Sequence, residues 1–259
     1  MNRIPRRILS RLILGALGLV AGFGCATARD GEERTFTVKP EYFESGGARI
    51  AVDVYTPIAA GRRPPILVLH GAGGMLFDGP EMSRVAQELA RAGYEVYQVH
   101  YFNRTHTWFA RQAVLLKLFP TWLGTVQDAV GWIQARRPDA PRVGMFGYSL
   151  GAFASIETAR RDSSIGAVVE EAGGFWHGHP EGPTRQPLPP MLVIHGTDDE
   201  RVPYEKYTKP LLAFLEQRKD PFTKRFYPGE GHQFSASAQA KVRAETVRFF
   251  EQHLPARGN

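Results

Sequence analysis

Ile66-Leu67-Val68-Leu69 is a run of four apolar residues set directly after Pro64-Pro65. It is too short for a helix and has no polar alternation, which fits a strand covered on both faces, as in a parallel sheet. The segments before it differ. Thr35–Pro40 and Arg49–Pro57 alternate in polarity, with Ser45-Gly46-Gly47 between them, and predict an N-terminal hairpin. Beyond the run, Met82, Val85, Ala86 and Leu89 recur at helical spacing, and Gly93 supplies a stop.

The alternation continues to the end of the chain. Strands are expected at Tyr94–Tyr101, Arg142–Phe146, Ile165–Val169, Met191–Ile194 and Lys224–Tyr227. Helices are expected around Leu123, Val126, Val130 and Ile133, then at Ala152–Arg160, Tyr204–Leu215 and Ala238–Leu254, with Pro210 distorting the third. Phe102–Pro120 and Gly173–Pro190 read as irregular insertions. The apolar residues from Trp108 to Trp122 suit a helix packed into the core, the alternative being a modest lid. Strands alternating with helices predict an α/β fold with a mainly parallel central sheet and helices on both faces. It occupies one domain from about residue 30 to 256. In such a sheet the chemistry lies beyond the C-terminal ends of the strands.

The first thirty residues stand apart. Arg3, Arg6, Arg7 and Arg11 precede an apolar run from Leu12 to Phe23, followed by Ala26-Thr27-Ala28 and a polar segment. A basic start, a short apolar stretch and an A-x-A site form a signal peptide over residues 1–28. An uncleaved anchor is the alternative, although the run falls short of the roughly 20 residues that span a bilayer. Cys25, preceded by Gly24, is the position at which a lipoprotein would be acylated. The expected location is secreted or periplasmic, with membrane attachment only through Cys25 or an uncleaved leader.

This segment changes the meaning of the composition. The 259 residues carry a net charge of +6, are 43% hydrophobic and 22% charged, and include one cysteine. Those fractions exclude wholesale disorder, and one cysteine excludes an internal disulfide framework or a cysteine zinc cluster. Cleavage after Ala28 removes four arginines and no acid, which lowers the charge from +6 to +2 and leaves 231 residues. The basic excess is then mostly an export signal, and a nucleic-acid partner is not expected.

The sharpest chemical signal is Gly147-Tyr148-Ser149-Leu150-Gly151, directly after a predicted strand and before a predicted helix. G-x-S-x-G in that context is a tight turn that lifts a serine hydroxyl above the sheet edge, and both glycines are needed for strand and helix to approach. Ser149 is the candidate nucleophile. A serine needs a base, and the base needs an orienting acid, in the chain order Ser, acid, His. Among the downstream histidines, His232 follows the last strand in Gly229-Glu230-Gly231-His232 and is the candidate base. His195 ends a strand and suits packing, His253 lies on the last helix, and His177 and His179 flank a glycine in a loop without a third metal ligand. The acid belongs after Met191–Ile194, where Asp198 and Asp199 both stand, and spacing does not choose between them. The oxyanion donors are expected to be the backbone N–H of Leu150 and that of Ala72 in His70-Gly71-Ala72-Gly73-Gly74, with Gly73 second. Arg104 and Tyr148 are candidate substrate contacts, Arg104 toward a carboxylate.

As a set, these residues resemble the α/β-hydrolase superfamily, and within it they are most similar to the dienelactone hydrolase family and its secreted relatives. The resemblance spans about residues 45–255. It is carried by His70-Gly71, Asp128-Ala129-Val130, Gly147-Tyr148-Ser149-Leu150-Gly151, His195-Gly196-Thr197-Asp198-Asp199 with Val202-Pro203, and Gly231-His232. In that family the acid segment reads H-G-x-x-D-x-x-V-P, which implies Asp199. Two features depart from the pattern. Dienelactone hydrolases themselves use a cysteine nucleophile and carry a Glu in the loop matching His70–Gly73, whereas this chain has Ser149 and no acid there. The resemblance therefore implies a serine hydrolase of small esters or lactones, with no metal and no organic cofactor, rather than dienelactone chemistry. The alternatives are a lipase, a thioesterase, a peptidase-like hydrolase of the same fold, or a ligand-binding homologue without catalysis. Sequence does not fix the oligomeric state.

Overall fold

The computed structural model describes residues 35–256 apart from 60–62, 141 and 186. The 1–28 export pattern and Cys25 lie outside the described residues. The hairpin consists of β1 (Phe36–Ser45) and β2 (Ala48–Pro57), paired antiparallel through Gly46-Gly47. β1 runs five residues beyond the expected Pro40.

The central strands follow their apolar runs closely. They are β3 (Ile66–Leu69), β4 (Val96–Val99), β5 (Val143–Tyr148), β6 (Ile165–Glu171), β7 (Met191–Gly196) and β8 (Phe222–Tyr227). Every residue of β3 to β7 is buried, the pattern expected of strands covered on two faces. The eight strands form one sheet in the order β1-β2-β4-β3-β5-β6-β7-β8. β2 is antiparallel to β1 and to β4, and the other five pairs are parallel.

The helices are α1 (Gly74–Phe77), α2 (Gly79–Arg91), α3 (Gln112–Arg136), α4 (Leu150–Ala159), α5 (Thr208–Arg218) and α6 (Ala236–His253). Trp122, Val126 and Ile133 of α3, Phe153 of α4 and Leu211 of α5 fill the core on one face of the sheet. Met82, Val85 and Leu89 of α2 pack with Val242 and Phe250 of α6 on the other. The chain moves outward in opposite directions from β3, to β4 on one side and β5 on the other. The loops after β3 and β5 therefore part and leave a crevice at their C-terminal ends.

Two expectations about helices need correction. The stretch Phe102–Pro120 is not irregular throughout, because α3 begins at Gln112 and contains Pro120. The carbonyl that Pro120 leaves without an N–H partner belongs to Leu116, an exposed residue that water can reach. Pro210 does not distort α5. It is the third residue of that helix, within the first turn, where backbone N–H groups have no intrahelical acceptor. The Trp108–Trp122 stretch is divided: Phe119 and Trp122 are buried, whereas Trp108, Phe109, Val114 and Leu116 are exposed.

Candidate active site

Ser149 stands between the end of β5 and the start of α4 with φ 52° and ψ −114°, a conformation that costs a non-glycine residue energy. The packing around it explains why that cost is met. A Cβ on Gly147 would lie 2.2 Å from the Gly151 carbonyl oxygen, and one on Gly151 would lie 2.5 Å from that of Leu69. Strand and helix thus meet backbone against backbone, and the serine is held at the apex of the turn. Its own N–H donates to the Glu171 carbonyl at 2.8 Å.

His232 comes from the loop between β8 and α6. The Ser149 hydroxyl donates to His232 Nε2 at 2.9 Å, and His232 Nδ1–H donates to Asp199 Oδ2 at 2.8 Å. Three residues far apart in sequence thus form one hydrogen-bonded line, and all three are buried. Asp199 Oδ1 accepts the backbone N–H groups of Arg201 and Val202 at 2.9 and 2.8 Å. Burial raises the Asp199 carboxyl, but the His232 hydrogen bond and the Val202 amide outweigh it and leave the carboxyl below its ordinary value. Asp198 is exposed and turned aside, accepting the Thr197 hydroxyl at 2.8 Å. The acid and histidine loops are tied together by Asp198 N–H to Glu230 O at 2.9 Å and Thr197 N–H to Tyr227 O at 3.1 Å.

Ala72 and Leu150 border the same cavity as Ser149, about 130 Å³ in volume, together with Leu115, Phe153, Trp176 and Tyr207. Among the described residues neither the Ala72 nor the Leu150 N–H donates to a protein group. Gly73 is different, because its N–H is spent on the Asp78 carboxylate at 2.9 Å. Asp78 is buried beneath the Gly-rich loop and braces it, while Ala110 N–H holds the Ala72 carbonyl at 2.8 Å from outside. The loop is thus fixed with one amide left over for a ligand.

The two expected substrate contacts lie elsewhere. Arg104 does not line the cavity. Its guanidinium reaches the Ser45 hydroxyl at 3.2 Å and the Thr121 carbonyl at 3.3 Å, clamping the β1–β2 turn to α3. Tyr148 precedes Ser149, so its side chain leaves the opposite face of the strand, where its hydroxyl donates to the His232 carbonyl at 3.1 Å. It positions the histidine loop. The arginine that does border the cavity is Arg201, which sequence reasoning passed over. Its side chain is exposed and has no ion pair among the described residues. The signal available was its place two residues after Asp199, inside the acid loop.

Glu170 and Glu171, at the end of β6, were also passed over. Both are buried, and burial pushes each carboxyl up to about 8. Glu170 accepts the Gly173 N–H at 3.0 Å, and Glu171 accepts the Gln239 amide at 2.6 Å. The folded protein holds two protons that the unfolded chain releases near its ordinary value of 4.5. The stability they contribute is complete below that value and is lost progressively as pH rises to about 8. The thermal midpoint is accordingly expected to fall across that interval, and the Glu170→Gln/Glu171→Gln pair to flatten the fall. Equal slopes in wild type and variant would refute the buried neutral carboxyls.

The sheet order, the crossing helices and a serine on a strained strand-to-helix turn define this chain as an α/β hydrolase. It belongs to the dienelactone hydrolase family, whose model matches residues 50–254. Among solved structures, a dienelactone hydrolase-like promiscuous phosphotriesterase from metagenomic libraries superposes with a TM-score of 0.70 at 17% identity, covering 85% of this chain and 100% of that one. Dienelactone hydrolase from Anabaena variabilis gives 0.64 at 20% identity, with coverage of 85% and 100%. Est1E from Butyrivibrio proteoclasticus gives 0.61 at 18%, with coverage of 83% and 98%. Among curated protein sequences, none matches this chain.

Proposed function

We propose that this protein is a serine hydrolase that cleaves small esters or lactones through an acyl-enzyme intermediate, with Ser149, His232 and Asp199 as its triad. The observation that carries the reading is the continuous line of two hydrogen bonds from Ser149 through His232 to Asp199, at 2.9 and 2.8 Å, on the edge of an apolar cavity. His232 Nε2 takes the hydroxyl proton as Ser149 Oγ attacks the ester carbonyl. Asp199, held ionised, fixes the imidazole with its proton on Nδ1 and stabilises the imidazolium that forms. The free N–H groups of Leu150 and Ala72 receive the oxyanion. His232 then protonates the leaving alcohol and activates water for deacylation, so the enzyme returns to its starting state.

The cavity volume argues for short acyl groups. A cavity of about 130 Å³ lined by Trp176, Phe153 and Tyr207 suits an acyl group of a few carbons. Acetyl or butyryl esters of p-nitrophenol are expected to turn over about tenfold or more faster than decanoyl esters, since each misfitted methylene costs specificity. A fluorophosphonate probe should label Ser149, as read by peptide mass spectrometry. A folded protein with no adduct at Ser149 would sink the hydrolase reading in favour of ligand binding alone. Labelling together with a decanoyl preference would move the substrate class to lipids. The export pattern of residues 1–28 supports a site of action outside the cytoplasm.

A further inference from the structure

Large apolar side chains gather between α1 and the start of α3 and face water. Trp108 is 75% exposed, Phe77 63%, Leu116 63% and Leu76 57%, with Phe109 and Val114 beside them. They come from α1, the loop before α3 and the first turns of α3. The Phe77 and Phe109 rings lie 6.1 Å apart, edge to face. Leu76 and Trp108 border one cleft, and Leu116 borders the Ser149 cavity. Exposed apolar surface on this scale is expensive in water and marks an interaction site.

The charge around the patch says what covers it. From Val96 to Gln127 the sequence holds no acidic residue. Arg111 and Lys117 stand exposed within that stretch, and among the described residues neither has an ion pair. Glu81, half-buried and the next acid after Asp78, is already shared by Arg84 and Arg243. A second copy of this chain packed two-fold on this stretch would bring two acid-free segments with their cations together, which charge disfavours. Tryptophan, phenylalanine and leucine flanked by unpaired cations are what a lipid–water interface receives, with the aromatic rings at headgroup level and the cations on anionic phosphates. Among the described residues no helix is long and apolar enough to cross a membrane.

We propose that this patch docks on the surface of an anionic phospholipid bilayer, inserting Trp108, Phe77 and Leu116, with the Ser149 cavity beside it at Leu116. The docking does not depend on the hydrolase reading, and Ser149→Ala is expected to bind as the wild type does. The test uses the full chain with vesicles of phosphatidylcholine and phosphatidylglycerol carrying brominated acyl chains. The chain has four tryptophans, and the difference between wild type and Trp108→Leu isolates the emission of Trp108. That emission is expected to shift to the blue and to be quenched. Arg111→Gln/Lys117→Gln should weaken partitioning by about 25-fold, since each cation near an anionic leaflet is worth about fivefold. Circular dichroism confirms that the variants are folded. The proposal is overturned if Trp108 is not quenched, if quenching is equal on vesicles lacking phosphatidylglycerol, or if Trp108 becomes buried through dimerisation instead.

Discussion

Ser149→Ala is expected to lower turnover of p-nitrophenyl acetate by about 10⁴-fold or more while leaving the fold intact, because no other group can form the acyl-enzyme bond. The stability side of the prediction follows from the turn. Alanine keeps the Cβ that serine already has, so the substitution adds no contact at φ 52°. It removes one hydrogen bond to His232, worth about 1 kcal/mol net, and the unfolding midpoint should move by only a few degrees. His232→Ala should cost a similar factor in turnover, and the double variant should be little worse than either single one, since the residues act as a unit. Retained turnover in Ser149→Ala would reject the proposed mechanism. Equal loss with an unfolded circular dichroism spectrum would instead show that the turn depends on the hydroxyl.

The parts of this molecule legible in sequence are those fixed by neighbouring residues. Ile66–Leu69 is a strand because four apolar residues after two prolines have no other economical conformation, and the strand has those bounds. Gly147 to Gly151 announces a turn because the two glycines are a local steric necessity. His232 and Asp199 could be placed because their loops follow strands in order, although the choice of Asp199 over Asp198 came from family resemblance. The side chains that misled are set by distant chain. Arg104 is taken by Ser45, 59 residues earlier, and by Thr121, so its function depends on a hairpin that its own surroundings do not reveal. Tyr148 follows from strand parity, which sends the residue before the nucleophile away from the cavity. Glu170 and Glu171 lie just past the expected strand end at Val169, and their hydrogen-bond partners, Gly173 and Gln239 of α6, are supplied by the fold rather than by their neighbours. Pro120 forbids a helix only if the lost hydrogen bond lies in the core, whereas it lies on the wet face of α3.

Gly147→Ala is the second change with a large expected effect, and it tests the turn without touching a reacting group. The added methyl would lie 2.2 Å from the Gly151 carbonyl oxygen and 2.6 Å from Ala152 N, all backbone atoms of the first turn of α4. Relief requires β5 and α4 to separate, but α4 is tied to the neighbouring strands of the sheet as well. Gly151 is so close to Leu69 O that even a methyl there has 2.5 Å, and Ser149 N–H is bound to Glu171 O at 2.8 Å. The helix therefore cannot retreat without breaking the site. A cost of about 3 kcal/mol or more is expected in urea unfolding, at the upper end of what overpacking produces. In whatever fraction stays folded, Ser149 is displaced from His232, and turnover should fall by about 10²-fold or more. Gly131→Ala supplies the control. Gly131 is an exposed position within α3 where a Cβ meets nothing within 4 Å, so the same chemical change should stabilise the protein by about 0.5–1 kcal/mol. If both substitutions were equally tolerated, backbone contact would not be what holds Ser149 at positive φ. If Gly147→Ala alone collapses, the strain at Ser149 is carried by the contact between β5 and α4.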